Sequence, residues 1–380
     1  MQGSAQTSYG PGDDGAAVAH IVDLLGRIGL LDGEPPANYD SRVEVAVRAF
    51  QQQRGLSVDG VVGPLTYRRL DEARWSLGDR ILTHLPGALM AGDDVFALQQ
   101  RLLGLGFDTG RIDGYFGART EDALREFQRN VGIPPDGTCG PATLKALGRL
   151  APIVSGGEPN AMRAAERIRE AGPQLGGKIV VIDPGRGHAF PAELAGESDQ
   201  VVTDLARRIE GRLVAIGVQA YLSRPSTGDD GDEAARAAFA NRADADLCVS
   251  LALDSSTNPD ASGVATYYFG AGHHGTVSTA GQRFAGLVQR EIAARTDLVD
   301  LRSHAKSWDL LRLTRMPAVR VEVGYLTNGG DRQRLSDPGF RDVLAEAVVV
   351  AIQRFYLSPD ADAHTGVLQV SELRAGFVPE

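Results

Sequence analysis

The chain has 380 residues, enough for two or three domains that each bury a core. Hydrophobic residues at 43% and charged residues at 23% describe ordinary globular protein, and a net charge of −10 gives no reason to expect binding to nucleic acid or anionic lipid, both of which favour basic faces. Two cysteines, Cys139 and Cys248, in separate segments exclude a disulfide framework and agree with a reducing compartment.

The opening stretch, MQGSAQTSYGPGDDG, has neither the basic residues nor the apolar run of a secretory signal. No later stretch approaches the roughly 18 consecutive apolar residues of a membrane span, so no membrane insertion is expected and the expected location is the cytoplasm. Self-similarity comes next. The segment from Ala46 to Leu70 repeats from Ala123 to Leu147 at a constant spacing of 77 residues. Phe50-Gln51 falls on Phe127-Gln128, Asp59-Gly60 on Asp136-Gly137, Gly63-Pro64 on Gly140-Pro141 and Thr66 on Thr143. Upstream, Val18, Ile21, Val22 and Leu25 form an apolar stripe at helical spacing that closes near Gly29. Each copy reads as three short helices joined by Asp-Gly turns, where glycine supplies the positive φ.

This pattern resembles the small helical peptidoglycan-binding domains, over 14–75 and 90–149. The resemblance implies affinity for a glycan or muropeptide; a plain three-helix scaffold is the alternative. In the first copy, Pro35 to Val43 stands where the second has Ile112 to Thr120, so its first turn has lost the Asp-Gly geometry. Residues 150–176 read as a linker carrying a short charged helix.

From Lys178 strands alternate with helices: KIVVID, a helix from about Gln200 to Ile216, VQAYLSR, a helix around Glu233 to Arg242, DLCVSLA, GVATYYF, a helix near Ser278 to Ala294, PAVRVEVGYL, and a helix from about Phe340 to Tyr356. Alternation of this kind predicts an α/β domain over 177–357 with a mostly parallel sheet, whose sites gather beyond the carboxyl ends of the strands. The fold class is therefore multidomain: two all-α three-helix units, then an α/β domain, then a tail over 358–380.

The α/β segment resembles the amidase-3 family of zinc-dependent N-acetylmuramoyl-L-alanine amidases, through VVIDPGRG, LSRPSTGDDGDEAARAAFANRADADLCVSLA, GVATYYF and MPAVRVEVGYLTN. The resemblance implies a zinc ion held by a histidine in a DPGHG loop, a glutamate at the start of the next helix and a histidine in a strand, with a glutamate as general base. A catalytic zinc takes three such donors and leaves a fourth position for water. Here Arg186 occupies the first histidine position, and a guanidinium offers no lone pair. Ser198 stands at the glutamate position, flanked by Glu197 and Asp199, each about 100° away around a helix. Ala252 stands at the second histidine position. Glu322 alone keeps its family role.

The expectation is thus a pseudo-enzyme that holds no zinc cofactor. With no metal, Glu322 needs a counter-ion, and Arg186 is expected to supply it in a salt bridge that closes the former centre. The alternative is an active amidase whose metal site is rebuilt from His188, His273, His274 or His304.

Two repeats ahead of an amidase-like domain and a short tail resemble a cytoplasmic regulator of peptidoglycan precursor synthesis. That likeness implies an enolpyruvyl transferase as protein partner, a muropeptide or lipid-linked precursor as ligand, and a Ser/Thr kinase as switch. The tail holds Thr365 and Ser371 beside short apolar residues, and Thr365 is the leading candidate phosphosite. A phosphate there would add about −1.5 to −2 charges.

Overall fold

The computed structural model describes residues 8–150, 168, 172, 174–186, 191–224, 232–271 and 276–357. The chain divides into two compact units, one carrying the N-terminal helices and one built on a sheet. The helix expected in 150–176 falls mostly outside the described residues, as do His188, His273, His274, Thr365 and Ser371.

The first repeat folds as α1 (Ala16–Arg27), α2 (Ser41–Arg54) and α3 (Pro64–Ala73), and the second as α4 (Asp93–Gly104), α5 (Ala118–Asn130) and α6 (Pro141–Arg149). The apolar stripes meet in one core per repeat: Val18, Ile21, Leu25, Val47, Phe50 and Leu70 in the first, Val95, Leu98, Leu102, Leu124, Phe127 and Leu147 in the second.

The recurrent Phe-Gln pair has two separate jobs. Phenylalanine fills the core, while the buried glutamine closes the turn that follows. Gln128 Nε2 lies 2.8 Å from Asp136 Oδ1, 3.0 Å from the Thr138 carbonyl and 3.1 Å from Thr143 Oγ1, and its Oε1 accepts from the Gly137 amide at 2.9 Å. Gln51 does the same with Asp59, Val61, Thr66 and Gly60. Gly60 and Gly137 have φ near 74° and 75°, a conformation that costs glycine little.

The second repeat carries a further copy of this clamp inside itself. Gln99 on α4 reaches Asp113, the Tyr115 carbonyl and Thr120, and accepts from the Gly114 amide at 2.8 Å. At the 77-residue spacing the first repeat has Val22, Pro36, Ala37 and Val43 at the positions of Gln99, Asp113, Gly114 and Thr120, so the glutamine, its two side-chain partners and the turn glycine are absent together. The bridge between Ala91 and Tyr115 nevertheless has its counterpart between Asp14 and Asn38. Between the repeats, Arg54 grips Asp93 with two bonds of 2.7 Å, and Arg80 holds Asp94 while stacking on Trp75.

The second unit contains β1 (Ile179–Pro184), α7 (Ala192–Ala215), β2 (Gln219–Leu222), α8 (Glu233–Arg242), β3 (Leu247–Asp254), β4 (Val264–Ala271), β5 (Thr276–Val277), α9 (Thr279–Arg295), β6 (Asp300–Lys306), α10 (Asp309–Leu313), β7 (Ala318–Tyr325), α11 (Gly329–Ser336) and α12 (Pro338–Tyr356). The strands form one sheet in the order β2-β1-β3-β7-β4-β5, with β6 also on β4. The pairs β1–β2, β1–β3, β3–β7 and β4–β6 are parallel, and β4–β7 is antiparallel, so the sheet is mixed and mostly parallel.

Helix α7 begins at Ala192, several residues before the sequence reading, because Ala192-Glu193-Leu194-Ala195 are strong helix formers behind Pro191. Strand β6 was not expected. Its partly exposed residues, with polar Asp300, Arg302, Ser303 and Lys306, hide the usual strand pattern.

Alternation along the strands sorts side chains to two faces. Val180, Ile182, Val249, Leu251, Val319, Val321 and Val323 join one core with Val202, Leu205 and Ile209 of α7, Phe284 and Val288 of α9, and Val348, Ile352 and Phe355 of α12. The other face carries Asp183, Ser250, Ala252, Arg320, Glu322 and Tyr267, with α8 and α10 against it.

Candidate active site

The loop after β1 is fixed by its backbone. The Gly185 amide donates to the Leu251 carbonyl at 2.8 Å, and a Cβ at Gly185 would lie 2.8 Å from Ser250 Oγ and 3.0 Å from the Leu251 carbonyl oxygen, so a side chain there would force the buried loop to shift. Asp183, fully buried, receives Ser250 Oγ at 2.6 Å and the Ser223 hydroxyl, and pairs with Arg236 Nε of α8 at 2.9 Å. This carboxylate holds β1, β3 and α8 together.

Three positions implied for zinc ligands can be placed. Arg186 is exposed, and its carbonyl accepts from Arg320 Nη2 at 3.0 Å. Ala252 is buried directly across the β3–β7 ladder from Glu322. Ser198 is buried on α7. Its acidic neighbours are already engaged: Glu197 receives Arg332 Nε at 2.9 Å, and Asp199 pairs at 2.7 Å with Arg224, a buried arginine that also donates to the Pro184 carbonyl. A one-residue slip of the helix would therefore move a carboxylate away from an arginine without supplying a free ligand.

Glu322 is buried, and its counter-ion differs from the expected one. Arg320, two residues earlier on the same face of β7, places Nε 3.2 Å from Glu322 Oε1. The Arg320 side chain is 1% exposed; it also pairs with Glu233 at the start of α8 at 3.0 Å and lies over Trp308, 4.7 Å from the ring centroid. The expectation of an Arg186–Glu322 salt bridge is corrected accordingly. A strand side chain anchored between two carboxylates reaches the site better than the exposed end of a loop.

Burial pushes the Glu322 carboxyl up to about 7, and the charge of Asp254 adds to it, against the pull of Arg320, a hydrogen bond from Tyr267 and Lys306. Burial lowers Lys306 and raises Tyr267, whose hydroxyl donates to Glu322. Tyr267 also packs on Trp308, with ring centroids 4.7 Å apart. His304, opposite Tyr267 on β6, is exposed, with Nε2 2.6 Å from the Leu301 carbonyl.

The residues at the ligand positions do not fit zinc. They offer a permanent cation, a hydroxyl and a methyl group, where the metal needs neutral imidazole, carboxylate or thiolate. Among the described residues no group of three or more His, Cys, Asp or Glu is placed to hold a metal ion. No helix among them is long and apolar enough to cross a membrane.

Paired helical repeats ahead of a mixed sheet with this loop and this buried glutamate define a cell-wall amidase type of protein. Residues 180–354 match the N-acetylmuramoyl-L-alanine amidase family, and 14–70 and 91–147 match the peptidoglycan binding domain family. The chain belongs to the amidase-3 family of N-acetylmuramoyl-L-alanine amidases. It is 47% identical to N-acetylmuramoyl-L-alanine amidase CwlM of Mycobacterium tuberculosis, across 96% of this chain and 93% of that protein. It is 29% identical to a Bacillus licheniformis amidase over 37% of this chain and 46% of the relative. Among solved structures, amidase AmiC2 of Nostoc punctiforme is similar at 28% identity and a TM-score of 0.42, covering 47% of this chain and 96% of that one.

Proposed function

We propose that this amidase-family chain does not hydrolyse and works by binding. In this reading it is a cytoplasmic regulator of peptidoglycan precursor synthesis that engages an enolpyruvyl transferase. Its repeats take a muropeptide or lipid-linked precursor, and a Ser/Thr kinase acting at Thr365 sets its state. The observation that carries the non-hydrolytic part is the replacement of metal donors by Arg186, Ser198 and Ala252, with a guanidinium lodged on Glu322. Amide hydrolysis needs a polarised carbonyl and an activated water. A carboxyl near 7 suits a base, but the residues at the ligand positions are not donors for the metal that polarises the carbonyl in this family. The regulatory part rests on the likeness in domain order.

The test is turnover of a muramoyl-L-alanyl peptide by the full chain with zinc supplied, beside Glu322→Gln. The reading expects no release of peptide by either. Turnover that disappears in Glu322→Gln would establish hydrolysis instead. Calorimetric titration into purified enolpyruvyl transferase tests the partner, and absence of binding would remove that half of the reading.

A further inference from the structure

We infer that Arg320 is the resident cation of this centre and the residue that bars a metal from it, so restoring the three ligand positions alone does not restore zinc binding. The inference rests on the non-hydrolytic reading and deepens it. Its basis is the set of contacts that Arg320 makes. Nε meets Glu322, Nη1 meets Glu233 of α8, and Nη2 meets the Arg186 carbonyl after β1. The face of the guanidinium rests on Trp308. One side chain thus ties the β1 loop, α8 and the segment before α10 to β7, which is how a central metal ion organises its surroundings.

Position matters as much as number. Ala252 is the register partner of Glu322, so a histidine there would enter beside the carboxylate that Arg320 already neutralises. A divalent ion drawn to that histidine would sit within a few ångströms of a buried, permanently charged guanidinium, where solvent screens little. Arg320 cannot withdraw easily, since leaving would take the guanidinium from Glu233 and leave Lys306 alone to offset the buried Glu322.

The full chain is compared in four forms: native, Arg186→His with Ser198→Glu and Ala252→His, the same three with Arg320→Met, and Arg320→Met alone. Zinc content is read by elemental analysis and affinity by competition with a chromogenic chelator. The form with four substitutions is expected to bind zinc at least about 100-fold more tightly than the form with three, the size expected when one close like charge is removed. Equal affinity of the two forms would overturn the inference and leave the non-hydrolytic reading intact. Failure of a cooperatively melting fourfold variant to bind zinc would also overturn it. Stoichiometric zinc in the native chain would overturn the proposed function itself.

A second measurement needs no metal and no refitted site. At pH 8, Arg320→Met is expected to lower the melting temperature by about 5 °C or more, and adding Glu322→Gln and Glu233→Gln to recover part of that loss. Equal shifts from the two glutamine substitutions in the native and the Arg320→Met backgrounds would mean that Arg320 is not the counter-ion of these carboxylates.

Discussion

Strand β7 serves two faces that obey different rules. Val319, Val321 and Val323 enter a continuous apolar core under α7, α9 and α12, where any aliphatic residue of suitable volume maintains the fold. Arg320 and Glu322, alternating with them, enter a face where each charge has a named partner. The difference separates the face that carries the amidase fold from the face on which its chemistry would depend. The apolar face can keep the family architecture whatever the polar face carries, here ion pairs, because strand alternation decouples the two.

The largest effect should come from putting a charge on the wrong face. Val321→Asp buries a carboxylate with no partner and is expected to abolish the cooperative thermal transition of the sheet unit, followed by circular dichroism. A native-like melt would show that the apolar face is less closely packed than described.

One residue further on, Glu322→Gln should be tolerated and should change how stability depends on pH. The folded carboxyl titrates near 7, above its ordinary value of 4.5. Between these values the folded chain retains a proton that the unfolded chain has released, so stability falls as pH rises through the window. Removing the titration should favour Glu322→Gln over the native chain above pH 7 by up to about 3 kcal/mol, with little difference below pH 4.5. Denaturant unfolding at pH 4.5 and 8 measures this, and a difference independent of pH would contradict it.

The repeats allow a smaller test of the same logic. Gln99→Val installs the residue of the first repeat while Asp113, Gly114 and Thr120 stay behind, and should cost about 2 kcal/mol in urea. No loss would mean that the turn holds without its clamp. Smallest of all, Arg27→Ala removes an exposed pair with Asp23 and should change stability by less than about 0.5 kcal/mol. A larger loss would show that surface pairs matter more here than their exposure suggests.

Much of this was legible because it repeats or alternates. The spacing of 77 residues located six helices, and βα alternation located the mostly parallel sheet. That Arg186 and Ala252, at the positions the resemblance implies for ligands, carry no metal donor could be read from residue chemistry. The partner of Glu322 could not, since local sequence does not reveal which of several arginines a fold carries inward. A signal existed all the same: in AVRVEVGY, Arg320 sits two residues from Glu322 and so shares its face of the strand. The clamp of Gln99 was also readable, because DGYFGART after a helix repeats the DGTCGPAT that follows Gln128. Sequence comparison at one spacing hid it, as the internal copy lies at another.

The most direct test of the central claim is the zinc content of the purified native chain after equilibration with an equimolar amount of the metal and removal of excess. The ion-paired centre built on Arg320 and Glu322 predicts essentially none bound. One tightly held zinc ion per chain would contradict it.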